Sequence, residues 1–267
     1  MKAFRRTYFP NLKDDKLRKA AYNLQDLKER YNKRKTNNLE FLLRKRYEWM
    51  NEYTKGLDNI IEIGSGLGLT KYYVNNPNLK LTDVSDYEWI DQKVDALNMP
   101  YENSSLDAII SCHMIHHVAK LKTLFKEFDR VLKPSGLVII SEINTSFMTK
   151  FMLGMMKHEG WSYNVDVFDE KTMASQINDP WSANCAIPEL LFRNNSIFEN
   201  QIKNFKIIRN NLCECFLFLL SGGVTSENPT INLKFKTLKM VHEIDKLLIK
   251  FFPNIFAMGR QIVIKKK

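Results

Sequence analysis

Cysteine and long apolar runs are scarce in this chain of 267 residues. The four cysteines, Cys112, Cys185, Cys213 and Cys215, include no CxxC pair and have no histidine at metal-ligand spacing. We therefore expect no metal site, and we expect small buried thiols, which suit a reducing cytoplasm. No apolar run approaches the roughly 20 residues that span a bilayer, so no transmembrane segment is predicted.

The sequence shows neither the features of a secretory leader nor internal repeats. Residues 7–15, which follow the basic Arg5 and Arg6, contain no sustained apolar stretch, so no secretory signal is predicted. With 44% apolar residues, a chain of this length buries one full core. We expect a single main domain with additions.

Positive charge is concentrated near the N-terminus. The whole chain has a net charge of +10, and residues 1–58 carry 16 basic against 8 acidic side chains. Apolar residues recur there at helical spacing over residues 17–31 and 39–50, so we predict a basic helical extension over residues 1–56. Its basic side chains, such as Lys28, are expected to face water or to meet RNA phosphates or anionic lipid headgroups.

The most informative pattern follows a strand-like apolar run at residues 60–63. Three alternate glycines come next: Gly64, Gly66 and Gly68. Glycine permits a positive φ and lets backbone N–H groups approach a ligand closely. A second strand-like segment ends at Asp83, 21 positions beyond Glu62, which is the offset at which a carboxylate meets ribose hydroxyls. The pattern predicts a nucleotide-type cofactor site.

Residues 62–68 resemble the first motif of class I S-adenosylmethionine-dependent methyltransferases. The succession of segments 142–144, 158–159, 183–188 and 220–223 resembles a branch of that family associated with polysaccharide and secondary-metabolite pathways. The dehydrogenase fingerprint is a poorer match because its glycines are spaced differently. Other motifs resemble those of the family and follow in its order: the loop at 94–100, the fourth strand at 105–111, the segment 113–117 and the turn at 128–136. The resemblance covers about residues 57–145.

This resemblance implies an α/β fold with a Rossmann-like, seven-stranded sheet, its last strand antiparallel, within residues 57–267. We expect a substrate cap over residues 146–200, a strand over 205–220 and an inserted helix within 230–256. The resemblance also implies S-adenosylmethionine as cofactor, with Asp95 facing its adenine amine and Ala96 and Leu97 beside the ring. The full set of expected cofactor-binding residues is Glu62, Gly64, Ser65, Gly66, Gly68, Asp83, Asp95, Ala96, Leu97 and Ser111.

Methyl transfer from a sulfonium is an in-line displacement, so alignment in a dry pocket matters most. A hydroxyl acceptor also benefits from a positioned base. The candidates are His113 and His116, which follow the fourth strand, and the pair His158-Glu159 at the start of the cap. We predict an acceptor pocket that combines these side chains with Trp161.

The sequence does not identify the methyl acceptor. The fourth strand ends without the Asn/Asp-Pro-Pro-Tyr run that related adenine-modifying enzymes carry, and aromatic residues do not interleave with basic ones as a base-stacking platform requires. A small molecule, or a sugar of a surface polysaccharide or glycolipid precursor, is favoured over nucleic acid. The alternatives are an RNA methyltransferase that uses the basic N-terminal helices and a non-catalytic, cofactor-binding partner subunit. Peripheral membrane contact and the oligomeric state are left undecided.

Overall fold

The computed structural model describes residues 4–10, 23–34, 36–169, 175, 182–225 and 228–267. Its strands are β1 (Thr7–Tyr8), β2 (Ile60–Ile63), β3 (Leu79–Asp83), β4 (Gln92–Lys93), β5 (Leu106–Cys112), β6 (Leu132–Ile143), β7 (Trp161–Ser162), β8 (Phe205–Cys213) and β9 (Gly259–Lys266). Its α-helices are α1 (Leu24–Lys33), α2 (Asn37–Tyr47), α3 (Asn51–Thr54), α4 (Leu121–Val131), α5 (Phe147–Met156), α6 (Ile187–Phe192), α7 (Asn195–Gln201), α8 (Phe216–Ser221), α9 (Phe235–Phe251) and α10 (Pro253–Phe256). None of these helices has the length and apolar character needed to cross a membrane.

A seven-stranded sheet with the order β4-β3-β2-β5-β6-β9-β8 forms the centre of the fold. Strands β2 to β6 pair in parallel, whereas β9 is antiparallel to both β6 and β8. Ala108, Ile109 and Ile110 of β5 are fully buried because apolar side chains cover both faces of a parallel sheet. The predicted fold, with its antiparallel last strand, is confirmed.

The N-terminal helices α1 and α2 pack on this sheet. Their apolar side chains join one core cluster with Ile60 of β2 and Ile110 of β5. Asn23 caps α1 by accepting from the Asp26 N–H, and Thr36 caps α2 by accepting from the Leu39 N–H. The predicted helix over residues 17–31 is therefore seen only from residue 24, because residues 11–22 lie outside the described part.

The segment after β6 begins the expected cap. Helix α5 starts after Ser146, and β7 pairs antiparallel with β1, so residues near the N-terminus contribute to the same layer. Trp161 is fully buried there against Tyr8 and Cys185. Residues 170–174 and 176–181 of the expected cap lie outside the described part.

The prediction of one strand over residues 205–220 is wrong in its second half. Strand β8 ends at Cys213, Glu214 has a left-handed φ of +59°, and α8 begins at Phe216. The buried carboxylate of Asp245 on α9 accepts the N–H groups of Cys215, Phe216 and Leu217 and so caps α8. A short apolar run does not distinguish strand from helix by periodicity, and here a distant cap decides. Helix α9 lies within residues 230–256, where an inserted helix was expected, and β9 is the antiparallel last strand of the chain.

Candidate active site

The glycine loop turns sharply after β2. Gly64, Gly66 and Gly68 have φ values of +66°, +50° and +67°, a conformation that other residues adopt only with strain. A Cβ at Gly64 would lie 2.3 Å from Met114 Cγ, whereas a Cβ at Gly66 would meet no atom within 4 Å. The Ser65 N–H donates to the Thr82 carbonyl at 3.0 Å, which ties the loop to β3. The open space above Gly66 is where the loop can admit a ligand.

Two acids support this loop. Asp83 Oδ2 accepts the Gly66 N–H at 2.9 Å, and its Oδ1 accepts the Ser85 N–H at 2.9 Å. Glu62 is buried in β2 and accepts a hydrogen bond from the Thr70 hydroxyl. Burial raises the pKa of Glu62 to about 7 and outweighs the opposing hydrogen bonds. The two acids therefore differ in role: Glu62 is about half protonated near pH 7, whereas Asp83 organises the loop as a hydrogen-bond acceptor.

A cavity of about 790 Å³ lies over the carboxyl ends of β2, β3 and β5. Eight of the ten expected cofactor-binding residues line it: Glu62, Gly64, Ser65, Gly66, Asp83, Asp95, Ala96 and Leu97. The loop that carries the last three is shaped by Asp95, whose Oδ1 accepts the Leu97 N–H at 2.9 Å. This agrees with the rule that ligands of open α/β sheets bind beyond the carboxyl ends of the strands.

Gly68 and Ser111 lie outside this wall, in contrast to the prediction. Gly68 turns the chain into the 3-10 helix Leu69–Tyr72, and a Cβ there would lie 2.8 Å from Leu81 Cδ1. Its requirement for glycine comes from packing beneath the loop. Ser111 is fully buried within β5, and its hydroxyl has no hydrogen-bond partner in the described part of the chain.

His116, which lines the same cavity, is bound to a buried acid. Its Nδ1 lies 2.6 Å from Glu142 Oε2, while Glu142 Oε1 accepts the Ile115 N–H at 2.7 Å. Burial acts to lower the pKa of His116, but the charge and hydrogen bond of Glu142 and the charge of Glu159 outweigh it and raise that pKa. An Nδ1–H donated to Glu142 leaves Nε2 on the cavity side to accept a proton.

Glu159 lies at the centre of the histidine cluster. Its Oε1 is 3.4 Å from His158 Nε2 and 3.9 Å from His117 Nε2, and its Oε2 is 3.9 Å from His116 Nε2. The Cys185 thiol donates to Oε2 at 3.2 Å. Burial acts to raise the pKa of Glu159, but the hydrogen bond of His158 and the charges of the histidines hold it well below the usual range. Glu159 is therefore an anion in the cavity wall.

The predicted site residues His113, His116, His158 and Glu159 all line this cavity. The Nε2 atom of His113 is buried and has no hydrogen-bond partner among the described residues. Burial, aided by the charge of Arg46, lowers the pKa of His113 to about 3, so this ring is neutral. Trp161 is not part of the wall. It is enclosed in the cap, where its Nε1–H donates to the Arg5 carbonyl at 3.0 Å, so its predicted place in the acceptor pocket is wrong.

One group of side chains in the described part could also hold a metal ion. Single ligand atoms of His116, His117 and Glu159 lie within 4.8 Å of one another. The sequence analysis placed His116 and Glu159 in one pocket, but it predicted neither the part of His117 nor a metal-ligand arrangement. The Nδ1 atoms of the two histidines are held by Glu142 and by the Ser182 carbonyl. Burial lowers the pKa of His117 to about 4, so this ring is neutral, whereas the pKa of His116 is raised.

Three wall or loop contacts were not predicted from the sequence. Glu142 has no local sequence signal for its bond to His116, because Glu142 lies in β6 and His116 in the short 3-10 helix Ile115–His117 that follows β5. Arg46 lines the cavity and pairs with Glu214 at 2.7 Å, both side chains being buried. Lys28 was expected to face water, yet its Nζ donates to the Leu67 carbonyl at 2.6 Å and lies 4.7 Å from the centre of the Trp89 ring. Through Lys28, helix α1 thus binds directly to the glycine loop.

Comparison with known proteins gives several matches. Residues 61–140 match the sequence family described as "Methyltransferase domain". A hybrid PKS-NRPS synthetase, iliA, from Neonectria sp. (strain DH2) is 27% identical over 134 residues, a match that covers 40% of this chain and 3% of that much longer protein. A SAM-dependent methyltransferase from Archaeoglobus fulgidus has a TM-score of 0.49 at 18% identity, covering 85% of this chain and 93% of that one. The trans-methyltransferase CalH, solved in complex with SAH, has a TM-score of 0.42 at 16% identity, covering 85% and 55%.

Proposed function

We propose that this chain methylates a small molecule or a sugar of a surface polysaccharide or glycolipid precursor. The match of residues 61–140 to the family described as "Methyltransferase domain" supports the reaction type. The methyl donor is S-adenosylmethionine, the cofactor that the motifs implied. The observation that carries the proposal is the shape of the cavity, which joins the glycine loop to the histidine–carboxylate cluster in one space.

The residues at the glycine loop fit this cofactor. The space above Gly66 would be reduced by any Cβ, and the Asp83 carboxylate stands beside it, suited to hydroxyl donors. Ala96 and Leu97 offer apolar surface to a flat ring, with Asp95 at their side. When bound, S-adenosylmethionine supplies a methyl group that is activated by its sulfonium charge.

We assign His116 as the base that takes up the proton of the acceptor hydroxyl. Its Nε2 faces the cavity, and Glu142 fixes the ring orientation through Nδ1 and stabilises the charge that follows proton uptake. Glu159 provides a second negative charge at Nε2, 3.9 Å away. This arrangement suits a hydroxyl acceptor, which is too weakly acidic to react well without a base.

The size and lining of the cavity favour a small acceptor. A volume of about 790 Å³ falls in the range of roughly 300–1,000 Å³ typical of small-molecule sites. Met152, Leu153 and Met156 of α5 add an apolar wall that excludes water. Lys28 and Arg34, which an RNA-binding role would need at the surface, instead donate to the carbonyls of Leu67 and Ser221. The four free cysteines fit the proposed cytoplasmic location.

Two measurements test the proposal. Isothermal titration with S-adenosylmethionine should give stoichiometric binding, and the absence of heat at high protein concentration would exclude the enzyme. Methyl-labelled cofactor, incubated with small-molecule, glycolipid and RNA fractions of a cell extract, should label one of the first two. Label in RNA would favour the nucleic-acid alternative, and cofactor binding without any label would favour the non-catalytic subunit. His116→Ala should bind cofactor and transfer no label, which makes it the control for extract enzymes.

A further inference from the structure

Helix α9 carries an apolar stripe on its solvent side. The α9 stripe consists of Met240, Ile244, Leu247 and Phe251, whose exposed fractions lie between 44% and 62%. Their spacing of four, three and four residues places them within about 60° of one another around a helix of 3.6 residues per turn. An exposed apolar stripe of this length on a surface helix is typical of a site that contacts a membrane or another molecule.

The opposite side of α9 is buried against the rest of the chain. Leu238, Asp245 and Ile249 are buried, with Leu238 packed against Phe41 and Leu217. The buried face packs α9 against the rest of the protein, and the α9 stripe is a second, separate apolar face. Helix α9 is apolar on two opposite sides, whereas an ordinary surface helix needs only one.

Lysines line one edge of the α9 stripe. Between residues 234 and 252 the exposed charged side chains are five lysines and one glutamate: Lys234, Lys236, Lys239, Lys246, Lys250 and Glu243. Four of the lysines fall on the arc between the stripe and the buried side, where a long side chain can place its ammonium group beside a docked apolar surface. The segment combines exposed apolar area with a net positive charge.

The apolar surface extends beyond α9. Phe252, which precedes α10, and Ile255, within α10, are also exposed. Helix α10 packs against α5. Helix α5 exposes Phe151 and Met155, while other residues of the same helix line the cavity. The exposed apolar side chains therefore lead from α9 to the helix that forms the cavity wall.

We infer that the α9 stripe and its lysines dock this protein onto the surface of an anionic lipid bilayer. An amphipathic helix with apolar side chains on one face and lysines beside them lies in the plane of a bilayer interface, where both kinds of group are satisfied. A second copy of the chain fits less well, because a symmetric contact would bring two surfaces of the same positive charge together. The inference goes beyond the proposed function and does not depend on it.

Vesicle flotation with the full chain tests this inference. Binding should occur on phosphatidylcholine vesicles that contain phosphatidylglycerol, be much weaker on pure phosphatidylcholine, and fall as salt is raised. Leu247→Glu/Phe251→Glu and Lys246→Glu/Lys250→Glu should each reduce partitioning by about tenfold or more. Matched controls away from α9 should bind like wild type: Ile197→Glu, an exposed apolar residue on α7, and Lys203→Glu/Lys206→Glu, with the same charge change.

Cofactor titration and circular dichroism establish that each variant is folded. The inference is overturned if folded wild type does not bind anionic vesicles, or if the control variants lose binding as much as the α9 pairs. It is also overturned if sedimentation shows a wild-type dimer that Leu247→Glu/Phe251→Glu dissociates, because the stripe would then be the contact between two copies.

Discussion

Glu142 at the end of β6 holds His116 by a 2.6 Å contact between Oε2 and Nδ1, although the two residues are 26 positions apart. Both side chains are buried, so the attraction between them is weakly screened. The pairing of β5 with β6 brings the turn that follows β5 beside the last residues of β6. The sheet itself thus orients the ring toward the cavity.

Replacing Glu142 by Gln should impair turnover far more than cofactor affinity. Without the carboxylate charge the pKa of His116 falls, so the acidic limb of the pH–rate profile should move to lower pH. The weaker base should lower kcat by roughly 10²-fold, the low end of a typical acid–base contribution. Glu48→Gln, which alters an exposed pair with Arg44, is the control. An unshifted profile with normal kcat would remove His116 from the proposed role.

Glu159→Gln and His158→Ala should likewise lower kcat while leaving cofactor affinity nearly unchanged. Both side chains lie in the cavity wall, where Glu159 meets His158 and the histidines that follow β5. Steady-state kinetics together with titration calorimetry separate the two effects. The exposed neighbour Lys157, changed to Ala, should have no effect on either quantity. If both variants are fully active, the acceptor site lies elsewhere.

Asp83→Ala should show the reverse behaviour. It removes a charge-assisted acceptor for the ribose and also releases the Gly66 N–H from its 2.9 Å hydrogen bond. We expect cofactor binding to weaken by about 1–3 kcal/mol, with less effect on turnover at saturating cofactor. Calorimetry on Asp86→Asn, a nearby acid on the same loop, supplies the comparison. Unaltered affinity in Asp83→Ala would refute the assigned ribose contact.

Arg46→Met should destabilise the protein by about 3–5 kcal/mol, because it leaves the Glu214 carboxylate buried without its partner. The double variant Arg46→Met/Glu214→Gln should lose less, since the uncompensated charge is gone. Arg44 forms exposed pairs with Glu40 and Glu48, so Arg44→Met should cost less than about 1 kcal/mol. Urea denaturation measures the free energy of unfolding of all three variants. Equal losses of this free energy in Arg46→Met and Arg44→Met would contradict the prediction.

The stability of the cofactor-free protein should depend on pH through Glu62. Its folded pKa of about 7 is raised above the ordinary value of 4.5, so its stabilising contribution is present below about pH 4.5 and is lost as pH rises through 7. Relative to Glu62→Gln, wild type should lose up to roughly 3 kcal/mol of unfolding free energy between pH 5 and pH 8. A stability difference between the two proteins that stays constant over this range would show that the pKa of Glu62 is not raised.

The glycine loop, the acids Glu62 and Asp83 and the order of strands and helices were predictable from the sequence. These features depend on short-range physics: a positive φ requires glycine, and apolar periodicity marks strands and helices over a few residues. The offset between Glu62 and Asp83 is also local, because it is the length of one strand–helix–strand unit. This is why eight of ten expected cofactor residues lie in the cavity wall.

Only the tertiary structure decided which polar groups meet and which apolar groups stay exposed. The bonds of His116 to Glu142 and of Arg46 to Glu214, and the gathering of histidines around Glu159, join segments that no sequence spacing connects. Asp245 ends β8 at Cys213 by capping α8, and one side of α9 is buried while the other remains exposed. Sequence patterns record the local preference of each segment. Burial and pairing depend on neighbours that only the folded chain brings within a few ångströms, where loss of water makes each charge and each hydrogen bond count.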